Sequence, residues 1–390
     1  MKGLFLFSIF VIIYGSLFPF DFHYVGWLEE GRYAFFSHTL SEAELPDILG
    51  NIILFMPYGF AGSELISRNH KQKEFYLALY FIGIFLAISL QVLQVYLPGR
   101  VPALYDAVWN SVGLFFGVIF ARVMRIKFPG ILASDDRMAL LALIISWIIF
   151  LLVPFFFEFN VAILKENIAI HLNINEHRFA NVIFYVAIWI TYSKLIDEVH
   201  PTKRNIFLSL EFSVIIMLSA KIFVYRDFIE PELLSGGIIA IILMRSHLFD
   251  IISPYKMAAL ILVPVMFYNS LYPFEFYSNP FKEFMWIPFS ELFSDDMLPI
   301  IRTVFYKVFA YGAIVWTLYK SFPNARWINY FCLIYAGLIE YLQHLTLTRI
   351  GGLTEPLMVL FLITFIHQKP KTFNLYEDAD LPADLDPEKS

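Results

Sequence analysis

Apolar stretches close to membrane-spanning length recur along the whole chain, separated by short polar breaks. They fall at 3–19, 47–66, 75–96, 104–124, 138–157, 178–197, 206–225, 231–249, 256–273, 299–320, 325–346 and 353–367. A membrane-crossing helix needs about 20 mostly apolar residues. The pattern therefore predicts an all-α integral membrane protein with about 12 transmembrane helices. Several windows are impure. The one at 178–197 contains Asn181 and Thr191, and Lys221, Arg302 and Lys307 fall within windows or at their edges.

The windows are not independent of one another. "YGSLFPFDF" at 14–22 matches "YNSLYPFEF" at 268–276, so that in both an apolar helix ends in Ser, then Pro, Phe, an acid and Phe. These motifs lie 254 positions apart. "SLQVLQVYLPGRVPALYDAV" then matches "GLIEYLQHLTLTRIGGLTEPLM", setting Gln91 against Glu340, Gln94 against Gln343, Arg100 against Arg349 and Asp106 against Glu355. All four pairs share a spacing of 249 without a gap. A middle copy is fainter. "VPFFFEF" at 153–159 echoes the first motif, "NVIFY" at Asn181 echoes "NIILF" at Asn51, and "RDFIEPELL" at 226–234 echoes "RIGGLTEPLM". The chain thus reads as three degenerate four-helix units, 1–125, 126–255 and 256–368, followed by an acidic tail over 369–390. That tail is expected to be disordered and cytoplasmic.

Composition agrees with a membrane location. Of the 390 residues 59% are apolar and 16% charged, against about 45–50% and about 25% in soluble domains. The net charge of −6 comes largely from the last stretch of the tail, 376–390, which alone carries −5, so the rest is near neutral and a nucleic-acid partner is not indicated. One cysteine, Cys332, excludes an intrachain disulfide. The N-terminus has the Lys-then-apolar look of a signal peptide. It lacks a small-residue cleavage site, and its closing motif recurs mid-chain, so we read it as a retained helix. Most of the 28 Lys and Arg residues gather in the loops that share a side with the two termini, which predicts cytoplasmic termini.

With that topology the polar residues of the first unit share one membrane level. Asp47 and Asn51 open the second helix four residues apart, Gln91 and Gln94 close the third, and Asp106 and Asn110 open the fourth, again four apart. Arg100 lies in the loop between the third and fourth. Polar groups in a bilayer normally face a bundle interior or a water-filled cavity. An outward-opening pocket formed by these seven residues is one reading. The other is structural: Asp47 and Asp106 complement helix N-termini, and the amides tie helices together. Glu340, Gln343, Arg349 and Glu355 form the matching set in the last unit.

"PDILGNIILFMPYGF" followed by "LQVLQVYLPGRVPALYDAVWNSVGLFFG" resembles the VanZ-like family, bacterial membrane proteins named for a teicoplanin-resistance accessory protein. The family pattern falls on Asp47, Asn51, Pro57, Gly59, Gln91, Gln94, Arg100, Asp106, Asn110 and Gly113. Gln91 stands where the family usually has glutamate, a place that Glu340 fills in the last unit. That unit has Ile300 and Val304 in place of the Asp and Asn of the second helix. The resemblance implies a multi-pass protein of the bacterial inner membrane, associated with the cell envelope. It does not imply a reaction.

Three functions remain open at this point. The chain binds or handles a lipid-linked glycan, a glycopeptide-related envelope component or an anionic lipid headgroup; or it is a secondary transporter of a small solute; or it is a membrane-embedded enzyme using carboxylate and Arg chemistry. No catalytic residue, cofactor or metal is assigned. "HLNINEH" at 171–177 supplies too few ligands, and "GLFFG" at 113–117 reads as a helix-packing face.

Overall fold

A computed structural model describes residues 1–23, 45–67, 72–97, 102–127, 135–153, 157–168, 176–199, 210–224, 229–277, 282–290, 297–323, 325–347 and 349–366. Arg100, the 171–175 part of the histidine-bearing loop and the acidic tail lie outside them. The described residues are helical throughout, apart from turns and isolated bridges. A helix occupies at least part of each of the twelve apolar windows. In chain order they are α1 (Lys2–Leu17), α2 (Leu45–Ser67), α3 (Gln72–Gln94), α4 (Leu104–Lys127), α5 (Asp135–Leu152), α6 (Val161–Ile168), α7 (Glu176–Val199), α8 (Leu210–Ile222), α9 (Pro231–Arg245), α10 (Leu248–Ile251), α11 (Pro254–Leu271), α12 (Met297–Ser321), α13 (Trp327–His344) and α14 (Thr354–Ile366). The short α6 lies outside every window, and the short α10 straddles the end of the one at 231–249. Among the described residues, four helices are by themselves long and apolar enough to cross a membrane: α2, α3, α4 and α7. Charged residues dilute α12, which holds Arg302 and Lys307.

Proline sets several boundaries. α9 and α11 each begin with Pro, whose missing N–H costs nothing in the first turn. α1 and α11 each end one residue before a Pro-bearing peptide, with Phe18 and Tyr272 extended as C-caps.

The packing order repeats along the chain. In the first run α1 packs on α2 and α3, and α2 on α4. In the second, α5 packs on α7 and α8, and α7 on α9. In the third, α11 packs on α12 and α13, and α12 on α14. Glycine enables the α2–α4 contact. A Cβ on Gly113 would lie 2.2 Å from the Ile52 carbonyl oxygen, one on Gly117 2.1 Å from that of Met56, and one on Gly59 2.1 Å from that of Leu114. No side chain fits there, so the two backbones meet directly along the face that "GLFFG" marks.

The apolar core has two parts. One lies within the first run, around Phe55, Tyr58, Leu90 and Leu114. The other spans mainly the second and third runs, takes in Met1, Phe60, Ala121 and Met124 of the first, and centres on Trp147, whose ring lies 4.9 Å from that of Phe309 and 5.8 Å from that of Trp189. α7 packs on α11, and α5 on α12, across this shared core. The first run meets the third where Phe7 stacks on Phe361 at 3.8 Å. On the outside, α3 exposes Leu77, Phe81, Ile82 and Phe85, a surface suited to lipid rather than water.

Candidate functional site

The polar residues of the first run divide between two tasks. Gln94 donates to the Ser16 carbonyl at 2.8 Å, and Gln91 accepts from the Ala103 N–H at 3.1 Å. Both glutamines are buried and bind backbone groups where helices end, where intrahelical partners run out. Asn51 donates to Asp106 at 2.9 Å, joining α2 to α4. Asp47 is exposed. Asn110 is buried one turn below Asp106.

The third run repeats this wiring. Gln343 donates to the Ser270 carbonyl at 3.0 Å, and Glu340 accepts from the Gly352 N–H at 2.7 Å. The His23 N–H donates to Tyr96 in the first run and the Tyr277 N–H to Leu345 in the third, at 2.8 and 2.9 Å. Phe20 and Phe274, after the two matching prolines, both take positive φ. The partners keep the spacings of 254 and 249 seen in the sequence.

The second run shows the same connection where its N-terminal loop meets the end of α8. The Glu158 N–H donates to the Phe223 carbonyl at 2.7 Å, and Phe157 bridges Val224 as Phe276 bridges Thr346. Lys221, wholly buried, stands where the glutamines stand in the other runs.

A carboxylate at the head of the last helix takes a donor from the second helix in every run. The pair is Asn51–Asp106 in the first, Tyr185–Glu230 at 2.7 Å in the second, and Lys307–Glu355 in the third. The donor changes from an amide to a phenol to an ammonium.

The last two of these pairs lie on the wall of one cavity of about 620 Å³ between the second and third runs. Arg302, Lys307 and Arg349 supply three cations against the carboxylates of Glu230 and Glu355. Asn181, Asn269, Gln343, Tyr306 and Tyr311 add neutral polar groups, and Asn269 donates to Asn181 at 2.9 Å across the two runs. The wall draws on the C-terminal ends of α11 and α13 and on the N-terminal halves of α7, α12 and α14. Helices that alternate in direction bring those ends to one level.

Of the sequence-derived residues, Gln343, Arg349 and Glu355 line this cavity. Glu340 is buried beneath, bonded to backbone. None of the described first-run residues among them lines it. Arg302, Lys307, Tyr185 and Glu230 were not singled out from the sequence. Arg302 and Lys307 carried a usable signal, since a charge inside an apolar window marks a site by default. Tyr185 carried none. Among the described residues, no group of His, Cys, Asp and Glu is arranged to hold a metal.

Residues 5–125 match the VanZ/LLP1 family model. This N-terminal segment is similar to the VanZ/LLP1 family, and we call it the VanZ-like unit. Its asparagine–aspartate link, its two backbone-binding glutamines and its glycine-lined α2–α4 contact all lie within the matched residues. No curated protein and no solved structure matches the chain. With the VanZ-like unit and the apolar helices, the chain is a membrane-type protein.

Proposed function

We propose that the chain crosses the membrane twelve times as three four-helix units, over 1–125, 126–255 and 256–368, with both termini in the cytoplasm of a bacterial cell. In this reading the VanZ-like unit heads a triplicated architecture. Its support is the recurring packing order and the recurring hydrogen bonds at helix ends. The polar ends of the helices then face outward, as the distribution of Lys and Arg suggests.

The protein binds an anionic headgroup, of a membrane lipid or of a lipid-linked glycan, in the cavity between the second and third units. One observation carries this: three cations face two carboxylates around a single opening large enough for a headgroup and its first sugar. Charges are kept at membrane depth when they face a ligand or a water-filled space. Transport would draw on the same repeats, but the polar groups of the cavity gather at one end of the bundle, which favours binding.

Native mass spectrometry of the full-length protein, purified in mild detergent, tests the reading. An anionic or polyprenyl-phosphate lipid should co-purify, and Arg349→Gln should reduce its occupancy. Equal retention of zwitterionic and anionic lipids by the unaltered protein would refute it.

A further inference from the structure

The cations of the cavity are not equally available. Lys307 is ion-paired with Glu355, whose side chain is only 5% exposed, so its charge is already matched by a buried partner. Arg349 is exposed and makes no ion pair among the described residues. Arg302 is intermediate. Its Nη2 lies 3.5 Å from Glu230 Oε1, with 28% and 38% of the two side chains exposed. Charge-assisted N–H···O bonds run at about 2.7–2.9 Å, so this contact is loose. The other carboxylate oxygen of Glu230 is engaged by the Tyr185 hydroxyl at 2.7 Å. The guanidinium also sits 5.2 Å from the Phe150 ring centre, a cation–π seat that keeps it aimed into the cavity whether or not Glu230 is in contact.

We infer that Glu230 is an internal competitor for Arg302, and that the cavity takes a phosphate-bearing ligand by exchanging that carboxylate for a phosphate oxygen. This rests on the reading of the cavity as an anion site. Arg349 makes first contact at the opening. Arg302 then leaves Glu230, which stays held by Tyr185, and closes on the phosphate as a two-pronged donor. Lys307 remains with Glu355, so the ligand meets two guanidiniums. Asn181, Asn269 and Tyr306 are left for hydroxyl or amide groups attached to the phosphate. Two tethered guanidinium forks suit one phosphate group with a polar substituent.

The test uses the full-length protein in mixed micelles and measures binding of phosphatidylglycerol against phosphatidylcholine. Glu230→Gln keeps an acceptor for Tyr185 and removes the competing charge. It should tighten phosphatidylglycerol binding about three- to fivefold, as expected for release of a partly exposed ion pair. Unchanged or weaker binding, in a protein that still prefers phosphatidylglycerol before substitution, overturns the exchange and leaves the headgroup reading standing. Loss of that preference in the unaltered protein overturns both. If Glu230→Gln does not fold, Arg302→Gln replaces it. That variant should weaken binding at least about tenfold, and an unchanged affinity overturns the exchange. Inorganic phosphate is added as a competitor. Displacement at concentrations near that of the lipid assigns the exchange to a soluble phosphate, and failure to displace assigns it to a lipid headgroup.

Discussion

Lys307 on α12 and Glu355 on α14 form an ion pair at the rim of the cavity, with the carboxylate buried and the ammonium partly exposed. The first run joins the corresponding helices, α2 and α4, by Asn51 and Asp106. The third run therefore carries a charged version of a link that is polar but half-neutral in the VanZ-like unit. Lys307 and Glu355, with Arg302 and Arg349 beside them, give the cavity of the second and third runs its charge.

Breaking this pair from one side should cost more than removing it whole. Glu355→Gln leaves Lys307 facing the cavity without its buried partner and should lower stability by about 2 kcal/mol, at the mild end for buried pairs because Lys307 is partly exposed. The double variant Lys307→Met, Glu355→Leu should recover much of that loss. Thermal unfolding of the three proteins in detergent checks it. Equal losses for the single and double variants would contradict a shared ion pair.

The two glutamines of the VanZ-like unit should respond differently to the same change. Gln91 acts as an acceptor from a backbone N–H, and Glu340 makes the equivalent bond as a carboxylate. Gln91→Glu should therefore cost less than about 1 kcal/mol. Gln94 acts as a donor to the Ser16 carbonyl. Gln94→Glu places a carboxylate against a carbonyl oxygen in a buried site and should cost about 2–3 kcal/mol. Melting temperatures that shift equally would show the bonds to be misassigned.

The α2–α4 contact should be intolerant of any side chain. Gly113→Ala puts a methyl group 2.2 Å from the Ile52 carbonyl and should destabilise by about 1–3 kcal/mol through forced separation of the helices. Gly337, also in a helix, has nothing within 4 Å of a built Cβ. Gly337→Ala should be neutral or stabilising by up to about 1 kcal/mol. The pair is compared by thermal unfolding of the full-length protein.

The proposed topology has a direct check. Reporter fusions inserted between Lys127 and Asp135, and after Lys203, should give cytoplasmic signals, and one after Trp27 an external signal. A cytoplasmic signal at Trp27 would turn the cavity toward the cell interior and remove the case for an envelope ligand.

The helical class, the twelve apolar segments and the pairing of 91, 94 and 106 with 340, 343 and 355 were all legible in the residues alone. A long apolar run satisfies its own backbone by coiling into a helix, and ungapped matches at one spacing survive without knowledge of contacts. The sequence also suggested that the polar positions share one level, because helix direction alternates from segment to segment. It did not show which of those residues face a cavity and which face a backbone. Gln91 and Gln94 look as ligand-ready as Arg349 when read along the chain, yet each meets an unpaired peptide group that only the folded arrangement of helix ends brings near. The cavity itself is assembled from α7 and α9 of one run and α11 to α14 of the next, across a core they share. Packing between runs depends on the shapes of side chains such as Trp147 and Phe309, and periodicity along one helix records nothing of its neighbour's shape. The convergence of Tyr185 and Glu230 on Arg302 is therefore a product of tertiary packing.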